Sequence, residues 1–219
     1  METFFPLLSF HDAGARSGGK PAFLTWRLLL LSDPYRMKNI EREGFELQPH
    51  LIGELIELRP LRPEDWESLF AVAADPLIWE QHPARDRYQE EVFQEFFREA
   101  LESEGAFVVI DRQTQKVIGS SRYFGYEPGK SEIEIGWTFL ARSHWGGKYN
   151  AELKRLMLDH AFRFVQSVVF LIGPTNFRSQ KALEKIGGVM IERRHKMIQG
   201  KPVENIVYQI KKPSIAAAT

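Results

Sequence analysis

The chain has 219 residues, 43% of them hydrophobic, which is enough to bury a substantial core and excludes disorder as the default state. Lys plus Arg and Asp plus Glu each total 29, so the formal charge is zero; this argues against nucleic acid or anionic membrane as partners and leaves any anion recognition local. There is no cysteine, which removes disulfides, thiolate nucleophiles and cysteine zinc sites and is compatible with a cytoplasmic setting.

Residues 1–50 differ in composition from the rest and read as an N-terminal extension, partly disordered, with "DAGARSGGK" as a flexible link. Its most apolar stretch, "PAFLTWRLLLLSDPYR", is interrupted by Arg27 and falls short of the ~20 residues of a membrane span. Asp33-Pro34-Tyr35-Arg36 follows it where a secretory signal would place small residues. One reading of this boundary makes Met37 the natural start.

Regular patterning begins at Glu54, within a domain expected over 51–213 and followed by a short tail at 214–219. "ELIELRPL" reads as a strand, and "RPEDWESLFAVAAD" as a helix with Pro63 in its first turn and Trp66, Leu69, Phe70 and Ala73 on one face. "YQEEVFQEFFREALES" is a second amphipathic helix, its Val92, Phe93, Phe96, Phe97 and Ala100 recurring at three- and four-residue spacings. "AFVVIDRQTQKVIGSSRYFGY" predicts a hairpin turning over Asp111 to Lys116. In the next strand, "SEIEIGWTFL", alternation puts Ile133, Ile135, Trp137 and Phe139 on one face and Glu132, Glu134, Gly136 and Thr138 on the other. A helix from about Lys148 carries Leu153, Leu156, Met157, Ala161 and Phe164 on its buried stripe, with His160 beside them as a satisfied core histidine. "SVVFLIG" then reads as a buried strand, "NFRSQKALEKIG" as a short helix, and the last two β runs as a hairpin around Gly200.

Two adjacent glycines, Gly146 and Gly147, stand between the third β run and the long helix, where glycine costs stability on both sides. The first N–H groups of a helix lack intrahelical partners and lie at the positive end of its dipole, so a side-chain-free approach there suits phosphate oxygens. A plain loop and helix start is the competing explanation.

The order β-α-α-β-β-β-α-β-α-β-β resembles the GCN5-related N-acetyltransferase (GNAT) fold over roughly Leu55 to Lys212. Three blocks carry the likeness, in order: "LRPLRPEDWESLF", "EIGWTFLARSHWGGKYNAELKRLMLDHAF" and "NFRSQKALEKIGG". They are most similar to the ribosomal-protein N-terminal acetyltransferase branch. The resemblance implies a mixed α/β (α+β) fold, with a mostly antiparallel twisted sheet of about seven strands flanked by about four helices. It also implies acetyl-coenzyme A as cosubstrate, its pyrophosphate held by main-chain amides of Trp145, Gly146, Gly147, Lys148, Tyr149 and Asn150. The family's turn is Gln/Arg-x-x-Gly-x-Gly/Ala; here Ser143 takes the Gln/Arg position and Lys148 the second small one.

Acyl transfer from a thioester to an amine needs a deprotonated amine, a polarised carbonyl and a protonated leaving thiolate. Alkyl ammonium groups ionise near ~10 and peptide α-amines near ~8, so a base or a water chain has to act first. Glu134 is the first candidate and Glu132 the second, against the bland reading of two solvated carboxylates on an exposed strand face. By the resemblance, amides around Thr138, Phe139 and Leu140, freed by a bulge, bind the carbonyl. The last helix lacks the tyrosine with which many relatives protonate sulfur. Its Asn176 and Ser179 match the branch's Asn-x-x-Ser, implying a coenzyme A contact and a group at the sulfur, although both are also ordinary helix-start residues.

His144 is a candidate phosphate contact or an idle loop histidine, and Tyr149 packs against cofactor or sheet. The histidines show no metal-ligand spacing, so no metal is expected. "PLIWEQHPARDRY" offers Trp79, His82, Arg85 and Tyr88 to an amine acceptor, or simply to the surface. The reading is an N-acetyltransferase acting on a protein N-terminus or a small amine; the alternative is an inactive coenzyme A-binding module. Phe-rich helix faces are compatible with a homodimer.

Overall fold

The structure, a computed structural model, describes residues 44–198 and 201–214. The expected link and start at Met37, the turn residue Gly200 and the tail past residue 214 lie outside the described residues. Among them are four α-helices and a single eight-stranded sheet. The strands are β1 (Leu51–Ile52), β2 (Ile56–Pro60), β3 (Ala106–Asp111), β4 (Val117–Glu127), β5 (Glu132–Leu140), β6 (Ser167–Ile172), β7 (Val189–Ile198) and β8 (Lys201–Lys211). The helices are α1 (Trp66–Ala73), α2 (Glu90–Glu102), α3 (Lys148–Ala161) and α4 (Phe177–Glu184). The strand beyond the expected seven is β1, two residues paired antiparallel with β2.

Strand order is β1-β2-β3-β4-β5-β6-β8-β7, and every pair is antiparallel except β5 with β6. A parallel neighbour demands a crossover, which α3 supplies. Pro63 opens a 3₁₀ turn, Pro63–Asp65, rather than α1 itself. Asp65 accepts hydrogen bonds from Arg59 at 2.6 and 2.8 Å and from the Arg62 amide at 2.8 Å, tying β2 to that turn.

Two cores sandwich the sheet. On one side Leu153, Met157 and Ala161 of α3 pack on Ile133, Ile135 and Val168, joined by Phe45 and Leu47 from before β1. On the other, Leu69 and Ala73 of α1 and Phe93, Phe96 and Phe97 of α2 pack on Val108 and Phe139. The periodic apolar positions of each helix are therefore the buried ones.

The alternation read along β5 does not hold to its end. Opposite Ser121 of β4 stand two residues, Trp137 and Thr138, because the register shifts between Ser120↔Phe139 and Arg122↔Gly136. Trp137 adopts φ +52°, a rare conformation for a bulky residue. This bulge sends Trp137 and Phe139 to the α1–α2 side, while Ile133 and Ile135 stay with α3.

Candidate active site

Strands β5 and β6 pair only from Glu132↔Ser167 to Glu134↔Val169. Beyond that both continue, β5 bonded to β4 and β6 to β8, and they part from each other. Main-chain groups of β5 past Glu134 therefore face a split rather than a strand. A cavity of about 410 Å³ opens there, lined by Glu134, Gly136 and Thr138 from β5, Asn150 and Lys154 from α3, and Ser179 from α4.

The first turn of α3, which follows the glycine turn, reaches this cavity through Asn150. Gly146 has φ +89°, in the region where glycine is strongly favoured. A Cβ built on either Gly146 or Gly147 would meet nothing within 4 Å, so no part of the folded chain requires their smallness. Gly147 precedes α3 without any side-chain cap, and the first turn of α3 contains no acidic residue. The first intrahelical bond is donated by Ala151 to the Gly147 carbonyl at 3.2 Å, leaving the amides ahead of it pointing outward at the positive helix end.

The turn is clamped from three sides. Arg142 donates to Asp75 at 2.5 Å. The Trp145 indole donates to the Leu140 carbonyl at 2.9 Å and lies 3.8 Å beneath the Arg178 guanidinium. Asp111, at the end of β3, accepts from Tyr149 at 2.9 Å and contacts His144 at 3.3 Å, while its other oxygen accepts from the amides of Gln113 and Thr114, both at 2.8 Å. Burial opposes ionisation of Asp111, but these donors, the Thr114 amide first, outweigh it and hold the carboxyl at about 2. His144 is thus not idle, its other ring nitrogen lying 2.9 Å from Ser143 Oγ. It fastens the turn, with its ring edge-on to Tyr149 at 4.6 Å.

The other candidates separate. Glu134 lines the cavity, whereas Glu132 accepts hydrogen bonds from Ser167 and Gln209, each at 3.0 Å, and does not line it. Phe139 and Leu140 bury their side chains in the two cores. Lys148 is exposed at the first position of α3. Asn176 and Ser179 both line the cavity, and Asn176 caps α4 by accepting from the Ser179 amide at 3.1 Å. His160 accepts its expected role, buried and 2.8 Å from the Glu46 carbonyl.

Two cavity residues, Arg87 and Lys154, were not read from sequence. Arg87 lines the far end, over the ring of Phe96 at 4.7 Å, and burial lowers its pKa to about 10. Its neighbour His82, of the expected acceptor loop, is pushed down to about 3 by burial and by that guanidinium, and stays neutral. Lys154, from the helix stripe's polar flank, is only 7% exposed and donates to Thr138 Oγ1 at 2.8 Å. Arg85 and Tyr88 of the same loop are exposed and do not line the cavity. Among the described residues no group of three or more His, Asp or Glu is placed to hold a metal ion, and no helix is long and apolar enough to cross a membrane.

The family described as acetyltransferase (GNAT) domain matches residues 56–189. No curated protein matches the chain. Among solved structures, a GCN5-related N-acetyltransferase from Brucella melitensis superposes with TM-score 0.63 at 19% identity, covering 75% of this chain and 79% of that one. RimJ of Mycobacterium smegmatis, in complex with CoA-disulfide, gives 0.61 at 17% over 76% and 90%. Ribosomal-protein-S5-alanine acetyltransferase from Vibrio fischeri gives 0.57 at 18% over 76% and 100%. Identities this low speak for the fold alone.

Proposed function

The chain belongs to the GNAT acetyltransferase family, and we propose that it transfers the acetyl group of acetyl-coenzyme A directly to a primary amine of a protein N-terminus or a small molecule. The observation that carries this reading is the uncapped start of α3 behind Gly146 and Gly147, opening onto a split that holds Glu134 and Ser179. The fit is electrostatic and steric together: outward amides, a positive helix end, and open space where two side chains would stand.

In this reading the amides from Gly146 to Asn150 hold the pyrophosphate, the expected Trp145 amide being taken by the Arg142 carbonyl at 3.1 Å, and the bound thioester supplies an activated acetyl carbon. Main-chain N–H groups of Thr138 to Leu140, beside the Trp137 bulge, polarise its carbonyl. Glu134 accepts the proton of the attacking amine, while Asn176 and Ser179 contact the arm and the sulfur from the α4 side. Glu132, committed to Ser167 and Gln209, holds β5 against β6 and β8.

Thiol release from acetyl-coenzyme A across a panel of peptides and small amines tests the activity. Glu134→Gln is expected to lower turnover by ~10²–10⁴ with coenzyme A affinity unchanged. Cofactor binding by the parent with no thiol release for any amine would instead make the chain a coenzyme A-binding module. No binding at all would leave the glycines as a plain helix start.

A further inference from the structure

We propose that Lys154 is the acid that protonates the departing coenzyme A thiolate, a role that rests on the acetyltransferase reading above. Lys154 lies six residues past Lys148 on α3, or ~9 Å of helix rise from the start that would hold the pyrophosphate. Its Nζ touches both lips of the split, donating to Thr138 Oγ1 on β5 at 2.8 Å and lying 5.1 Å from the ring centroid of Phe170 on β6. Phe170 is the first β6 residue beyond the last β5–β6 pair, so the ammonium stands at the root of the opening into which an acyl arm would run. Thr138 is itself fixed, its hydroxyl 2.7 Å from that of Ser121.

A buried lysine on an apolar ring destabilises a fold, and methionine would fill the same volume without that cost. Burial pushes Lys154 down to about 7, so it exchanges a proton near neutrality. The other ionisable groups facing the cavity are Glu134 on β5, His82 and Arg87 on the loop after α1, and Glu95 and Glu99 on α2. The β6, α4 and β8 residues that line it are not titratable. His82 is neutral and Arg87 charged throughout this range. Ser179 can orient the sulfur, but a serine hydroxyl holds its proton at neutral pH.

The step balances as follows. Glu134 accepts the proton lost by the acceptor nitrogen as the carbon–nitrogen bond forms. Lys154 gives a proton to sulfur as the carbon–sulfur bond breaks and its electron pair moves to sulfur. Coenzyme A then leaves as the thiol, and the proton on Glu134 returns to the Lys154 amine through water, so no net proton is consumed.

The test uses the full chain with acetyl-coenzyme A and the amine of the panel that releases most thiol. Because the chain has no cysteine, a thiol reagent reports only released coenzyme A. Parent kcat is expected to fall as pH rises through about 7, where the Lys154 ammonium is lost. Lys154→Met should lower kcat at pH 7 at least tenfold and lose that falling limb, while leaving coenzyme A affinity within a few-fold. An unchanged kcat, or the same falling limb in Lys154→Met, overturns the proposal. So does acetylated Lys154 by intact mass after incubation with acetyl-coenzyme A, since the lysine would then be an acceptor. Absence of calorimetric binding by the parent would sink the acetyltransferase reading instead. Should Lys154→Met fold poorly, a ¹³C titration of Lys154 in the free parent decides: a midpoint near the ordinary ~10 overturns the proposal.

Discussion

Two helices begin close to the same cavity, and they begin differently. The N-terminus of α4 is closed by its own sequence, Asn176 accepting from the Ser179 amide. That of α3 follows two glycines and has no side-chain cap at all. Both starts face the identical problem of unpaired amides at a positive dipole end. Solving it internally stabilises a helix; leaving it unsolved keeps a place for an anion. The expense of the second solution is offset by the clamps that hold the turn from Asp75, Asp111 and Arg178.

Giving α3 the cap that α4 has is the sharpest way to break this contrast. In Gly147→Asp the added Cβ meets no neighbour, and thermal stability measured beside affinity separates a folding effect from a binding one. Coenzyme A affinity, read by calorimetry, should fall ~100-fold, or ~2.7 kcal/mol, as the carboxylate occupies and repels at the anion's place. Unchanged affinity would show that the two helix starts are equivalent after all.

Loosening the clamp comes next in size. Asp111→Asn should destabilise the fold by ~1–3 kcal/mol at pH 7 in urea denaturation, because a buried acceptor of several donors loses its charge. The folded pKa of Asp111, about 2, lies below the ordinary carboxyl value of 3.8. Its contribution is therefore complete above that ordinary value and is lost as pH falls from 3.8 toward 2, so parent and variant should converge over that window. The smallest effect is expected at the closed helix. Asn176→Ala should cost ~1 kcal/mol of stability through the lost cap. Its effect on coenzyme A affinity should be well below that of Gly147→Asp. A larger loss of affinity than of stability would make Asn176 chiefly a ligand contact.

The contrast also marks where reading the sequence works. Helix faces such as Phe93, Phe96, Phe97 and Ala100, and the alternation of Ile133 with Ile135, were legible because burial follows local period. The glycine pair was legible because glycine between regular elements is a local anomaly. Trp137 was not, since a bulge is decided by how β4 and β5 register, and one extra residue turns the tryptophan to the other face. The contacts of His144 and Tyr149 with Asp111 were not legible because that common partner lies 33 and 38 residues earlier. Lys154 was overlooked because a lysine beside Leu153 reads as solvated helix flank.

By itself, then, the sequence determined the order and type of elements, the apolar face of each helix and the uncapped start of α3, all of which depend on periodicity and on what glycine lacks. Only the tertiary structure decided which side chains meet at the cavity. The parting of β5 from β6 buries Lys154 and exposes Glu134 to the same space, while Glu132, two residues away, is consumed in holding the strands together. Burial and partner choice arise from contacts distant along the chain, and no local pattern encodes them.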